Sequence, residues 1–360
     1  MNSLNITKHI QLSISRKLNR YLIGLKDIAP KNAKALWAFV FIVSAVGCVS
    51  CVNEWPNPDC KETFSLNLEF DTALPKIYYD YTRAEENPVE MLYIIRAYEM
   101  NKGTVDQSSF IEFRFTRNPA EGYDCSADIK LAPGNYRLMV WADFCNQEGR
   151  SLYYDTDNFE GIRIKSPYTG DTDLRDAFCG TLDLTYNDWN SLDGEPGGIV
   201  KMTRPLAKYE FVSTDLSEFI SSETRKLARG ESPVWIDEYY TVLSYTQFVP
   251  DSYNFFALRP NDATSGISFR SELKEYEDNE VLMGFDYVFV DDNESGVAVQ
   301  ISVFRKADNK LVARTGTIRV PLKRSHDTIV KGSFLLSNAS DGVGIDPGYE
   351  GDFVIFAPLE

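Results

Sequence analysis

Two cysteines stand where a thiol can be acylated. Cys48 and Cys51 close an apolar run, Ala35–Val46, that follows seven basic residues and a single acid, Asp27. A positive flank, a short apolar core and then small residues describe a secretory signal; a bilayer span needs about 20 apolar residues. Ala45-Val46-Gly47-Cys48 fits the pattern in which small residues precede a cysteine whose Sγ takes a diacylglyceryl group before cleavage makes it the N-terminus. Cys48-Val49-Ser50-Cys51 fits less well, because Cys48 then fills a position usually held by an aliphatic residue. The plainer alternative is an ordinary secretory signal with incidental cysteines. Each buried acyl methylene contributes about 0.8 kcal/mol, so several chains hold firmly where one is marginal. The basic region is long for such a signal, which leaves open a start downstream of Met1.

Beyond this leader the chain offers little for catalysis. His326, in Lys323-Arg-Ser-His-Asp327, is the one imidazole after His9, so any Ser-His-Asp triad would have to use it. Its charged setting reads as a loop or strand edge. No Gly-x-Ser-x-Gly, His-Glu-x-x-His or P-loop is present. Asp155-Thr-Asp-Asn158 and Asp171-Thr-Asp173 alternate oxygen ligands as calcium loops do, but lack the later Gly and Glu of an EF-hand. Gly342-Val-Gly-Ile-Asp-Pro347 has no strand–helix context and reads as a turn. Tyr153-Tyr154, Tyr239-Tyr240 and Trp235 could stack on sugars, although aromatics at period two usually face a core. Cys60, Cys125, Cys145 and Cys179 have no zinc spacing and allow three disulfide connectivities or none. No catalytic residue, metal set or cofactor is assigned.

The elements that would position these groups are strands. Phe64-Ser-Leu-Asn-Leu-Glu-Phe70 alternates apolar and polar strictly, the period of a half-buried strand. Strands are also expected at 91–100, 110–115, 127–131, 199–202, 207–212, 239–245, 281–290, 297–305, 311–320, 328–336 and 353–356. Pro133-Gly134 predicts a β-hairpin running into Tyr136–Ala142. Asp215-Leu-Ser-Glu218 predicts a capping box opening a helix near Leu216–Arg225. The Asn-, Asp-, Gly- and Pro-rich stretch Asn187–Gly198 marks a boundary. The expected organisation is a signal segment (1–50), a tether (51–63) and two tandem antiparallel β-sandwiches (64–198 and 199–360), an all-β chain.

Composition agrees. The 20 Tyr and 22 Phe favour sheet. The formal charge is −16, and more negative without the basic leader. Such a balance argues against nucleic acid as a partner and against adhesion to an anionic membrane through the protein surface.

Several stretches resemble the fimbrillin-associated anchor family of lipoproteins in Bacteroides-type bacteria. They are Cys51-Val-Asn-Glu-Trp-Pro56, Tyr136–Asp143, Arg175-Asp-Ala-Phe-Cys-Gly180 and Arg204-Pro-Leu-Ala-Lys-Tyr-Glu-Phe211. Gly284–Val290, Val320-Pro321, Thr328–Phe334 and Gly342–Pro347 look like the related fimbrillin-like lipoproteins. The resemblance implies two transthyretin-like sandwiches and a fimbrial anchor or accessory subunit. It implies an outer membrane location, lipid-anchored and surface-exposed, with fimbrial subunits as partners. It favours Cys51, with Cys48 as the alternative, for lipidation. It draws attention to Arg83 as a maturation cleavage point, and to Thr72 and Thr328 in Asp-Thr-apolar triplets as O-glycosylation acceptors. In such a system an incoming strand pairs with the edge left when the first strand departs. A glycan- or host-binding surface lipoprotein on the same scaffold is the alternative.

Overall fold

The computed structural model describes residues 61–71, 89–189, 197–228, 232–293, 295–337 and, for the backbone, 353–358. Among them the architecture is all-β, with antiparallel sandwiches as expected. Among the described residues no helix is long and apolar enough to cross a membrane.

The first sandwich faces a three-stranded sheet against a four-stranded one. The former orders β4 (Cys125–Leu131), β1 (Glu62–Phe70) and β9 (Gly197–Met202). The latter orders β3 (Thr104–Arg117), β2 (Glu90–Asn101), β5 (Tyr136–Cys145) and β8 (Ala177–Leu184). Strict alternation in β1 turns Phe64, Leu66, Leu68 and Phe70 inward, onto Tyr93, Ile95, Leu138 and Val140 of the facing sheet. β9, whose residues from Ile199 the sequence reading counts with the second domain, pairs in parallel with β1. Pro133-Gly134 does not make a hairpin. β4 pairs with β1 and β5 with β2 and β8, so this turn carries the chain from one sheet to the other. Trp189 Nε1 donates to the Gly134 carbonyl at 2.8 Å and fixes the crossing.

The second sandwich repeats the plan. One sheet orders β15 (Lys274–Glu275), β16 (Val281–Phe289), β10 (Leu206–Ser213), β20 (His326–Gly332) and β21 (Phe353–Pro358). The other orders β14 (Ser268–Glu272), β11 (Tyr239–Tyr245), β17 (Ser295–Arg305) and β18 (Lys310–Arg314), with β19 (Ile318–Leu322) also on β17. Here β10 pairs in parallel with β20, as β1 does with β9. The expected helix is present as α1 (Leu216–Lys226), but its capping box is not. The Asp215 carboxylate accepts from Ser213 Oγ at 2.5 Å and from Leu336 N at 2.9 Å, tying the helix start to the chain after β20. Asn279, from the turn before β16, accepts from Ser217 N at 2.8 Å in its place.

A fifth, small sheet joins the two halves. It orders β13 (Arg259–Thr264), β12 (Val249–Asn254), β7 (Ile162–Ile164) and β6 (Tyr154–Asp155), so two strands come from each half. Beneath it lies a third core of Trp141, Tyr154, Tyr253, Phe255, Tyr287 and Phe289 among others. This core explains why β5 and β16 are buried on both faces, which a half-solvated sheet is not.

Charged groups lie inside the same seam. Arg175 and Asp286, both fully buried, form an ion pair between the halves. Arg175 Nη2 also donates to Tyr287 O at 3.0 Å, and its guanidinium lies 4.4 Å from the Tyr168 ring centre. Asp286 accepts from the hydroxyls of Tyr168 at 2.6 Å and Tyr245 at 2.7 Å, and from its neighbour's amide, Tyr287 N, at 2.8 Å. The next residue, Asp176, takes Arg204 on two atoms, Nε at 2.8 Å and Nη2 at 2.6 Å. Burial works against the Arg175 charge, yet Asp286 and the surrounding phenols hold its pKa well above the ordinary value.

Removing one partner of a buried pair strands the other charge. Asp286→Asn is therefore expected to cost about 3–5 kcal/mol, read by chemical denaturation. Circular dichroism and tryptophan fluorescence should then give one coincident midpoint, because the seam couples the halves. Separate midpoints in the parent chain would contradict that coupling.

A second buried carboxylate gives a pH signature. Asp143 accepts from Ser151 Oγ, and burial pushes its carboxyl up to about 7. Since this lies above the unfolded value of about 3.9, its contribution is complete in acid and lost as pH rises towards and through 7. The parent chain is expected to lose about 3 kcal/mol between pH 5 and 8 through this group. Asp143→Asn should flatten that slope in denaturation curves taken across the range.

Candidate functional site

The strand that the sequence reading picks out most clearly, β1, is the central strand of its sheet. β1 lies between β4 and β9, so both of its edges are paired. Its four inward side chains are at most 8 % exposed. Phe64 meets Trp189 with ring centres 5.3 Å apart, and Phe70 meets Phe178 at 5.0 Å. Its outward face is polar and locked by short bonds: Ser65 Oγ donates to Asp128 at 2.7 Å, and Ser126 Oγ donates to Asn67 at 2.6 Å. Asp124 accepts the Phe70 amide at 2.8 Å and closes the end of the strand. Burying four such side chains contributes roughly 6–12 kcal/mol, an upper bound because the unfolded chain is partly collapsed. That is comparable to a whole domain's stability. A sandwich without β1 would be left with an apolar trough.

Two glycines let β9 close on β1. A Cβ on Gly197 would lie 2.9 Å from the Ser65 carbonyl oxygen, and one on Gly198 would lie 2.6 Å from Leu182 Cδ2 and 3.3 Å from Phe64 Cζ. The sequence reading takes this pair as the end of the domain boundary at Asn187–Gly198; they are strand residues of β9 that permit close approach.

The remaining candidates fall as follows. Cys48, Cys51, Cys60, Arg83, Thr72 and Gly342–Pro347 lie outside the described residues. Thr328 is buried in β20 and its Oγ1 donates to Pro321 O at 2.8 Å, so the folded chain offers no open face there for a glycan. His326 Nδ1 lies 2.7 Å from the Arg324 carbonyl. Asp155 accepts from Asp157 N at 3.1 Å. Asp171 pairs with Lys274 at 3.3 Å, and Asp173 accepts from Tyr287 Oη at 3.0 Å. Tyr154 and Tyr239 are core residues, whereas Trp235 is exposed. Cys125, Cys145 and Cys179 are free thiols.

Sequence reading missed the seam. For Asp286 the signal was present: it sits between Phe285 and Tyr287 in a run otherwise without charge, whereas Arg175-Asp176 follows the polar stretch Asp171-Thr-Asp173 and does not stand out. A charge inside a strand that reads as buried on both faces announces a partner from elsewhere.

Solved structures similar to this chain include two from Porphyromonas gingivalis. The fimbrial anchor protein Mfa2 is 15% identical, with 76% of this chain and 91% of that one covered and a TM-score of 0.36. The tip fimbrial protein Mfa3, with a C-terminal truncation, is 12% identical, with 75% and 94% covered and a TM-score of 0.35. No protein of curated function matches. A family described as a family of unknown function, DUF6562, matches residues 59–357, from just before β1 into β21. By that match, which takes in β1 and both sandwiches, the chain belongs to the DUF6562 family.

Proposed function

We propose that this chain is a non-catalytic, surface-exposed lipoprotein of a fimbrial system, an anchor or accessory subunit that meets partner subunits by β-strand pairing. The observation that carries the reading is the position of β1. It is the central strand of its sheet, the first of the described strands after a segment with acylable cysteines, and it is followed in sequence by Arg83. A chain left whole keeps β1 and stays joined, through it, to the lipid. A chain cut after Arg83 and stripped of β1 opens a trough that an alternating apolar strand from another subunit can fill. The anchor role uses the first state. Lipidation at Cys51 and an outer-membrane location are parts of the same proposal, supported by the leader and by the resemblance in Cys51–Pro56.

Mass spectrometry of the mature chain from cell envelopes should find an acylated Cys51 at the N-terminus with β1 retained. An N-terminus at Ala84 would instead mark a polymerising subunit and overturn the anchor reading.

Strand exchange has its own test. Protein cut between Arg83 and Ala84 and freed of the N-terminal piece in mild denaturant is expected to lose most of its stability. A synthetic peptide of residues 61–71 should restore the thermal midpoint in a concentration-dependent way. The same peptide with Leu66→Asp should not, since a carboxylate would enter an apolar core. Equal rescue by both peptides would refute the pairing mechanism.

A further inference from the structure

The seam between the sandwiches opens at one end into a cavity of about 770 Å³, within the usual range of small-ligand sites. The end of β1, β8, β9, the β12–β13 turn, the loop after β16 and the β19–β20 turn line it. Its charged centre is Arg324. This guanidinium donates through Nε to Arg204 O at 2.8 Å, through Nη2 to Thr203 Oγ1 at 3.2 Å and through Nη1 to Asp292 Oδ1 at 3.2 Å. The Arg324 side chain is 15% exposed and that of Asp292 81%. The carboxylate that answers Arg324 therefore stands on the water side, where an incoming anion can displace it.

The surroundings favour such an exchange. Lys201 and Lys323 line the same space, so among the described lining residues three cations stand with two carboxylates, Glu69 and Asp292. On a chain with formal charge −16 this is a local reversal of sign, and concave walls concentrate the field of the cations. Hydroxyls of Thr181, Thr203 and Ser325 are part of the wall. Ile199 and Leu258 form an apolar lip and are among the large hydrophobic side chains left exposed.

We propose that this cavity is a binding site for a carboxylate-bearing sugar of the hexuronic acid class. The ligand carboxylate takes the place of Asp292 on Arg324, with Lys201 and Lys323 adding charge. The threonine and serine hydroxyls meet the sugar hydroxyls, and Ile199 and Leu258 cover the C–H face of the ring. The site shares Glu69 with β1 and Ile199 and Lys201 with its neighbour β9, so the test uses the full chain with β1 in place. It does not use the apolar trough that strand exchange would fill, and failure of either reading leaves the other standing.

Calorimetric titration of the full chain with glucuronate and galacturonate tests it, with glucose, galactose and acetate as controls. The uronates should bind, and the neutral sugars and acetate should bind at least tenfold more weakly. Lys201→Ala and Lys323→Ala are exposed changes that leave the seam intact; each is expected to weaken uronate binding about two- to fivefold. Asp292→Asn removes the competing anion and should tighten binding by a similar factor. Absence of uronate binding, equal binding of acetate or of the neutral sugars, or indifference to all three substitutions would overturn the proposal.

Discussion

One ion pair governs this fold. Arg175 and Asp286 meet with no access to water, one from each half of the chain. Neither charge can be hydrated, so each is tolerable only while the other is in place. Buried pairs of this kind add little net stability over apolar packing, and this one joins a residue of each half. Tyr168, Tyr245 and the Tyr287 amide complete the coordination of Asp286, and Asp176 repeats the device with Arg204 one residue further along. The small joint sheet and its aromatic core can then close with both halves in register.

The two sandwiches share a construction rule. In each, the first strand enters beside a late strand and runs parallel to it, β1 to β9 and β10 to β20, while the other pairings are antiparallel. A first strand placed this way is the last piece needed to cover its core and belongs to the chain's beginning only by connectivity. For β10 the connection is short and clamped by Arg204. For β1 the chain on its far side leads back to Cys51 and Cys48, so the same placement has a different setting at the two sites.

Strands and the helix were legible because their signals are local. The strict alternation of Phe64–Phe70 is set by which face must be dry, and the helix was placed correctly from its polar start at Asp215–Glu218, although the capping box read there does not form. What was not legible depends on partners remote in sequence. Asp215 looks like a cap until the segment after β20 claims its carboxylate, whereupon Asn279 takes the role. Pro133-Gly134 makes a turn as expected, but whether a turn yields a hairpin or a crossing is decided by β1 and β2, which pair with the flanking strands. Gly197-Gly198 reads as the end of a domain boundary because nothing local tells of Phe64 pressing against it. The clamp at Arg175 lies in a stretch that carries the family resemblance and the cavity at Arg324 lies beside His326, and neither stretch by itself tells of its remote partners.

The polarity of β1 carries a mechanical consequence. Its two neighbours between them cover its length: β4 pairs with Glu62–Leu68 and β9 with Ser65–Phe70, the two overlapping over Ser65–Leu68. A pull on the Glu62 end along the strand loads both ladders in shear, so many bonds must yield together. A pull across the sheet would peel them singly. A protein hung by this end resists drag with its strongest geometry, and the linkage yields only when the whole strand slides.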